Sequence, residues 1–539
     1  MPATTAFHRP SMLERLGSEE FDVLVVGAGI TGAGVALDAA SRGLSVALVE
    51  REDFASGTSS KSSKMVHGGL RYLQQGEVKL VYQALRERQR LFKNAPHLVT
   101  VLPFMIPILT KDGVVSRKVA RALGSAMWMY DATGGWRIGR LHRRLRKDKA
   151  FAHLPTMHRE RLASAYLYYD AAVDDARLVL TVCRTAAQHG AVVVNRCPVV
   201  QLLHDDAGNA NGAVVEADGR RIDVRAKVVV NAAGVWSDDV RALDEGSHPD
   251  SIRPAKGVHV TVPWEKVRCD IAVVIPVPKD RRSLFLVPWG RRADGTFEHA
   301  YIGTTDTDYT GPLDDPQCTA EDIEYVLRAV NASVTTGVTE ADITGVWAGL
   351  RPLVKSGASG RTADLSRNHA LHASPHGVLT ITGGKLTTYR EMAEDTVDAV
   401  LERLGRSSRC RTKRLRLLGA GPRPATDGSP AAHLANRYGT LAAEVRALVA
   451  ADPSLGEPLV PGHPHLRAEA VYAARHEMAT TLEDVLTRRT RLRLFDRAAV
   501  VAAAPDVARL LAAELGWDDA ETQRQIDAFL TSCALEQPA

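Results

Sequence analysis

Cysteine is scarce in this chain and never clustered. Its six cysteines, Cys183, Cys197, Cys269, Cys318, Cys410 and Cys533, are scattered through 539 residues. None shows CxxC spacing, which argues against a structural zinc site and against a disulfide framework and leaves reduced, mostly buried thiols. Long apolar runs are also missing. Nothing approaches the roughly 20 residues of a spanning helix, and the opening MPATTAFHRPSMLERLGSEE has no apolar core of signal-peptide type. Residues 1–20 are expected to form a disordered or loosely docked arm. The protein is expected in the cytoplasm or on the cytoplasmic face of a membrane. Neither sign of charge is in large excess: 68 Lys and Arg against 63 Asp and Glu leave +5. That surplus fits an anionic substrate or an anionic membrane surface. It is too small for nucleic acid, and no basic–aromatic interleaving supports that partner. No internal repeat or low-complexity tract stands out.

Hydrophobic residues make up 45% and charged residues 24% of the chain, an ordinary soluble balance. The length predicts about two or three domains. The stretch that organises them is Asp22–Tyr72. Asp22–Val26 is a short valine-rich run, the composition of a strand buried on both faces. Gly27, Ala28, Gly29, Thr31 and Gly32 follow in GxGxxG spacing, then an Ala- and Leu-rich helix to Arg42, a stop at Gly43, and a second strand, Leu44–Val49, ending in Glu50. Gly27 permits the turn, Gly29 removes a side chain from the path of a pyrophosphate, and Gly32 lets helix and strand pack closely; the helix start offers free N–H groups. Glu50 lies roughly 20 residues after the first glycine, where its carboxylate meets an adenosine ribose, and Arg51 follows it.

The next segment favours FAD over a nicotinamide. The chain enters a Gly/Ser/Lys-rich loop, Gly57–Ser63, with Ser59, Ser60 and Ser63, then Lys64 and His67-Gly68-Gly69-Leu70-Arg71-Tyr72. Glycines and small hydroxyl residues suit a backbone pressed against a large flat cofactor. A second close approach is expected at the strand end Ala233-Gly234-Val235-Trp236, and a third at Gly383-Gly384-Lys385-Leu386-Thr387, where a helix start forms an anion seat near the flavin's pyrimidine edge.

GTSSKSSKMVHGGLRYL, with GTTDTDY at Gly303–Tyr309, AGLRPL at Ala348–Leu353 and TGGKLTTYR at Thr382–Arg390, resembles the FAD-dependent, quinone-linked glycerol-3-phosphate dehydrogenases, within the wider family that includes D-amino-acid and sarcosine oxidases. The resemblance spans about Phe21 to Arg390, and the helical tail is also typical. It implies oxidation of sn-glycerol 3-phosphate to dihydroxyacetone phosphate by hydride transfer to the flavin N5. By the same resemblance Arg71, Tyr72, Arg367 and Lys385 grip the phosphate and Arg351 lies near the reacting hydroxyl. Arginine forks suit a dianionic ester. His67 is the first choice of general base, since an unperturbed imidazole suits proton transfer near neutral pH; His259, in KGVHV, is the outside candidate. The partners implied are glycerol 3-phosphate, a membrane quinone, an anionic membrane met peripherally and a second copy of the chain. No metal is expected. An oxygen-using glycerol-3-phosphate oxidase, an amino-acid or amine oxidase of the same fold, and a non-catalytic flavin scaffold stay open as alternatives.

The fold class expected is α/β: a Rossmann-like FAD-binding domain (21–95, 160–255 and 346–408), an interleaved antiparallel-sheet substrate domain (96–159 and 256–345) and an α-helical C-terminal domain (411–539). Gly76–Phe92 reads as a helix and Leu98–Thr110 as a strand or strand pair broken by Pro103 and Pro107. Capping boxes are expected at Thr319–Asp322 and Thr480–Glu483. Ala126–Tyr130, Trp136 and the basic run Arg137, Arg140, Arg143, Arg144, Arg146, Lys147 form either a lipid-facing seat or a solvated basic helix beside a core patch.

Overall fold

The computed structural model describes residues 7–70, 77–110, 120–280, 282–355 and 369–536, the side chains of 120–122 excepted. The valine run Phe21–Val26 is buried along its whole length because it is the centre of a sheet. It pairs in parallel with Val46–Val49 on one side and Arg220–Asn231 on the other, with Val23 opposite both Val46 and Val228. Val192–Val194 extends the parallel order beyond Val46–Val49. Leu379–Gly383 extends it beyond Arg220–Asn231, and His369–Ala373 closes that edge antiparallel. A strand with two neighbours and helices on its faces has no solvated side, which is why it is apolar at every position but Asp22, whose carboxylate accepts from Lys227 Nζ at 2.9 Å. The helix Ile30–Ser41 leaves the first strand at Gly29 and is buried almost throughout. It packs between the helices Asp175–Gln188 and Tyr389–Arg403.

The second sheet is mainly antiparallel. Ile252–Pro263 lies between Phe297–Gly303 and Gly345–Val354, and Ser283–Arg291 and Ala272–Pro276 continue the sheet. Val99–Leu109, Leu162–Val173 and Met65–Val66 complete it at the far side. Three segments expected in the cofactor domain therefore lie here: Met65–Val66, within 21–95, Leu162–Val173, within 160–255, and Gly345–Val354, at the start of 346–408. Apolar strands of this length look alike whichever sheet receives them. Sequence order alone did not reveal that the two sheets exchange strands. The fold class itself is the one expected: a Rossmann-like α/β unit, an antiparallel-rich sheet interleaved with it, and a helical C-terminal region running from Pro430 to Leu535.

Other expectations need correction. From Phe7 onward the arm is docked: Arg9–Ser18 is a helix with Pro10 at its start, and Met12, Leu13 and Leu16 are buried. Phe7 packs on Phe54 at 5.6 Å, and Arg9 Nη1 donates to both carboxylate oxygens of Asp218 at 2.9 Å. The i, i+1, i+4 spacing of its three apolar residues is one buried helix stripe. Leu98–Thr110 holds one continuous strand, Val99–Leu109, despite its prolines. It is paired along its length with Leu162–Val173, but on its other side Ala272–Pro276 reaches only Phe104 and Met105. A largely unpaired flank tolerates residues without an N–H. Within the basic run, Arg143–Arg146 is a strand rather than helix. The second capping box sits one residue later than expected. Thr481 Oγ1 accepts from the Asp484 N–H and Asp484 Oδ2 accepts from the Thr481 N–H, each at 3.1 Å. It opens a π-helical turn, Asp484–Arg489. The box at Thr319–Asp322 is as expected.

Candidate functional site

Gly27 has φ +97°, and a Cβ there would sit 2.9 Å from the Ala232 carbonyl oxygen. A Cβ on Gly32 would fall 1.8 Å from the Gly27 carbonyl oxygen. Both positions therefore require glycine, for the turn and for the helix–strand approach. The Ala28 N–H donates to Glu50 Oε2 at 2.7 Å and the Glu52 N–H to Oε1 at 3.0 Å, fixing the carboxylate at the end of the second strand. Burial raises the Glu50 pKa above its ordinary value. Ser59 Oγ accepts from the Ile30 N–H at 2.9 Å, which folds the serine loop over the start of the helix.

These elements enclose a cleft of about 380 Å³. Of the candidate cofactor residues, its walls include Gly27, Gly29, Thr31, Glu50, Arg51 and Ser59 from the first part of the chain. Ala233, Gly234 and Trp236 come from the second approach, and Gly384, Lys385 and Leu386 from the third. At the rim Asp314 Oδ1 accepts from Arg51 Nη2 at 2.5 Å and from Trp236 Nε1 at 2.9 Å, while the Arg51 guanidinium lies 4.9 Å from the Trp236 ring.

The remaining candidates stand behind or beside the cleft. His67 and Thr387 meet across 320 residues of sequence: the His67 N–H donates to Thr387 Oγ1 at 3.2 Å and that hydroxyl donates back to the His67 carbonyl at 3.3 Å. The Gly68 N–H donates to Asp170 Oδ1 at 3.1 Å, and Asp170 is held in turn by buried Arg88 and Tyr130. Arg351 donates from Nη1 to Asp306 Oδ1 at 3.1 Å and from Nη2 to the Thr305 carbonyl at 3.2 Å. Its chain neighbour Pro352 is in the cleft wall. Ser60, Ser63 and Lys64 do not line this cleft. Ser60 is buried, and Ser63 Oγ is bonded to His259 Nε2 at 2.8 Å. Lys64 is buried with Nζ 3.6 Å from Asp175 and 4.3 Å from the Trp347 ring. Burial, and then the charge of Arg491, push the Lys64 ammonium down to about 7. Arg71, Tyr72 and Arg367 lie outside the described residues.

His259 is buried and stacked on Trp347 at 4.7 Å with the rings 8° from parallel. Burial, then the charges of Lys64 and Arg351, hold its pKa well below the ordinary value. An imidazole so disfavoured as a cation is a poor acceptor of a substrate proton.

The model of the FAD dependent oxidoreductase family matches residues 22–390, and that of the C-terminal domain of alpha-glycerophosphate oxidase matches 410–522. Glycerol-3-phosphate dehydrogenase 2 of Mycobacterium tuberculosis is 42% identical over 97% of this chain and 90% of its own. The chain belongs to the FAD-dependent glycerol-3-phosphate dehydrogenase family. The X-ray structure of the member from Bacillus halodurans, complexed with FAD, matches with a TM-score of 0.79 at 30% identity and covers 98% of both chains. L-alpha-Glycerophosphate Oxidase from Mycoplasma pneumoniae, with FAD bound, shares the fold: TM-score 0.56 at 17% identity, over 74% of this chain and 98% of its own.

FAD is the cofactor of this family, and the residues present fit it. Gly27 and Gly32 allow the tight turn and close helix packing that a dinucleotide fold needs, Glu50 lines the cleft at the end of the second strand, and Gly384 with φ +77° bends the chain at the third approach. The sequence signals missed the outer support of this dehydrogenase cleft. Asp53, three residues past Glu50, is fully buried and receives Arg488 Nε at 2.6 Å and Arg489 Nη1 at 2.7 Å from the C-terminal region. Arg491 Nη2 reaches the Ser60 carbonyl at 2.5 Å and Asp175 Oδ1 at 2.8 Å. No local motif marks these partners, although three arginines at 488, 489 and 491 next to a capping box were visible.

Proposed function

We propose that this chain oxidises sn-glycerol 3-phosphate to dihydroxyacetone phosphate and passes the electrons to a membrane quinone. Bound FAD supplies the hydride acceptor; the chain must bind the ester, orient its secondary alcohol and take one proton. In this proposal Lys385, Arg71 and Arg367 hold the phosphate with Tyr72. Arg351 polarises the reacting hydroxyl, and His67 accepts its proton. Arg351 suits an orienting role because its fork is already fixed by Asp306 and the Thr305 carbonyl, so little rotamer freedom remains to be lost on binding.

The observation that carries the proposal is the meeting of His67 with Thr387, which brings the described stretch His67–Leu70 and the GGKLTTYR segment together beside Lys385 in the cleft wall. Anaerobic titration of the flavin spectrum tests it. Glycerol 3-phosphate is expected to bleach the 450 nm band and a panel of amino acids to leave it intact. Bleaching by an amino acid instead would move the chain to the oxidase reading, and stoichiometric peroxide in air would replace quinone by oxygen.

A quinone acceptor requires contact with a bilayer. No described helix is long and apolar enough to cross one. Support for a peripheral seat comes from one face. Trp128 is 63% and Trp136 54% exposed, with Tyr82, Met129 and Leu141 also exposed. Arg137 lies 5.0 Å from the Tyr82 ring and 5.5 Å from the Trp136 ring, and Trp128 packs edge-on against His142. Exposed indoles beside arginines match the headgroup layer of an anionic membrane.

A further inference from the structure

A second polar cluster lies on the outer side of the cofactor domain. His204 ends the strand Val199–His204, Asp244 sits in the last turn of the helix Ser237–Glu245, and His376 occupies the turn before Leu379–Gly383. His204 Nε2 is 3.2 Å and His376 Nδ1 3.3 Å from the same oxygen, Asp244 Oδ1. The three candidate donor atoms lie within 4.8 Å of one another. The Asp244 side chain is fully buried, yet its second oxygen, Oδ2, has no hydrogen-bond partner among the described residues. An unsatisfied buried carboxylate oxygen beside two imidazoles is expensive unless something else completes it.

From this cluster we propose a binding site for a divalent transition metal of the zinc class, with His204, Asp244 and His376 as its protein ligands and water completing the shell. Imidazole and carboxylate are the donor set such ions take. Two donors each about 2.0–2.2 Å from a tetrahedral ion stand roughly 3.4 Å apart, close to the two distances seen. The supports are rigid. His376 sits in a turn closed by the Gly377 N–H on the Ser374 carbonyl at 3.0 Å and by Ser374 Oγ accepting from the Val378 N–H at 3.0 Å. Asp244 stands at the helix end whose dipole favours a cation; His376 Nδ1, which donates to the Asp244 carbonyl at 2.9 Å, gives up that bond and its proton to ligate the ion. The site is distinct from the redox centre, but the two share an element: Asp239, Val240 and Leu243 of the same helix line the cofactor cleft. The metal would act as a clasp, tying that helix to the strand and the turn.

The test uses the full-length, tag-free, FAD-loaded protein and zinc itself, in competition with a chromophoric chelator. One equivalent is expected to bind, and His204→Gln and His376→Gln are each expected to weaken it at least about tenfold while bound flavin stays at the wild-type level. Asp244→Asn is expected to weaken binding likewise. The two histidine variants, at exposed His204 and half-buried His376, serve as the test should the buried substitution fail to fold. Failure to compete with the chelator, or equal affinity in wild type and both histidine variants, would overturn the proposal and leave a hydrogen-bonded His–Asp–His group.

Discussion

Asp53 and Arg489 meet as a fork on a carboxylate: Nη1 reaches Oδ2 at 2.7 Å and Nη2 reaches Oδ1 at 2.8 Å, and both side chains are buried. The π-helical turn Asp484–Arg489 presents Arg488 and Arg489 side by side, so one carboxylate receives both. The pair joins the C-terminal region to the loop that follows Glu50. Asp53→Asn is expected to destabilise the protein by about 3–5 kcal/mol, the usual result of leaving a buried charge without its partner, and to release FAD at lower denaturant than wild type. Denaturant unfolding followed by circular dichroism and flavin fluorescence measures both. Burial alone would raise the Asp53 pKa, but the guanidinium groups of Arg489 and Arg488 outweigh it and hold the carboxyl well below its ordinary value. The stabilisation is therefore full above the unfolded carboxyl pKa of about 3.9 and is lost as pH falls toward the folded value. Wild type and Asp53→Asn should converge in strong acid; an equal gap at all pH values would contradict the ion-pair origin.

Gly32→Ala is expected to yield protein without flavin. Its Cβ would lie 1.8 Å from a backbone oxygen, so the helix must move away from the strand and take the phosphate seat with it. The ratio of absorbance at 280 nm to that at 450 nm reports the loss, and circular dichroism shows whether the fold survives. Normal flavin content in this variant would mean that the Gly27 turn is not part of the cofactor seat.

What was legible in the sequence divides along a physical line. The strand, glycine turn, helix and acidic residue at 21–50 form one continuous local unit, so spacing alone located the cleft. The meeting of His67 with Thr387 was reachable only through resemblance, since nothing in composition pairs residues so far apart. The Asp53–Arg488 contact spans 435 positions and left no trace. The helix Arg9–Ser18 was mistaken for a loose arm because three apolar residues among charges look solvated until a surface is there to receive them. Pro103 and Pro107 suggested a break, but the little-paired flank of their strand tolerates them.

Lys64 predicts a pH signature of its own. Its ammonium titrates at about 7 in the folded protein because burial and the Arg491 charge disfavour the cation, against about 10.4 in the unfolded chain. Between those values the unfolded state binds the extra proton, so this residue's contribution to stability rises with pH. The melting temperature of wild type minus that of Lys64→Met is expected to increase from pH 6.5 to pH 9.5. A difference that stays flat or falls would mean that Lys64 remains charged beside Asp175.

The aromatic face predicts a separation between chemistry and membrane contact. Trp128 and Trp136 are exposed by 63% and 54%, and Trp136 packs with an arginine rather than with the core, so their removal takes little from folding. Replacing both by glutamate sets two negative charges against an anionic surface and removes two interfacial anchors. The double variant should lose flotation with phosphatidylglycerol vesicles and lose quinone reduction in membranes. Anaerobic bleaching by soluble glycerol 3-phosphate should stay near wild type, because none of these residues lines the cofactor cleft. Wild-type binding itself should weaken as salt rises from 50 to 500 mM, since surface charge attraction is screened within about one Debye length. If the double variant floats as well as wild type, the seat lies elsewhere, and the basic segment Arg411–Arg416 becomes the next surface to neutralise.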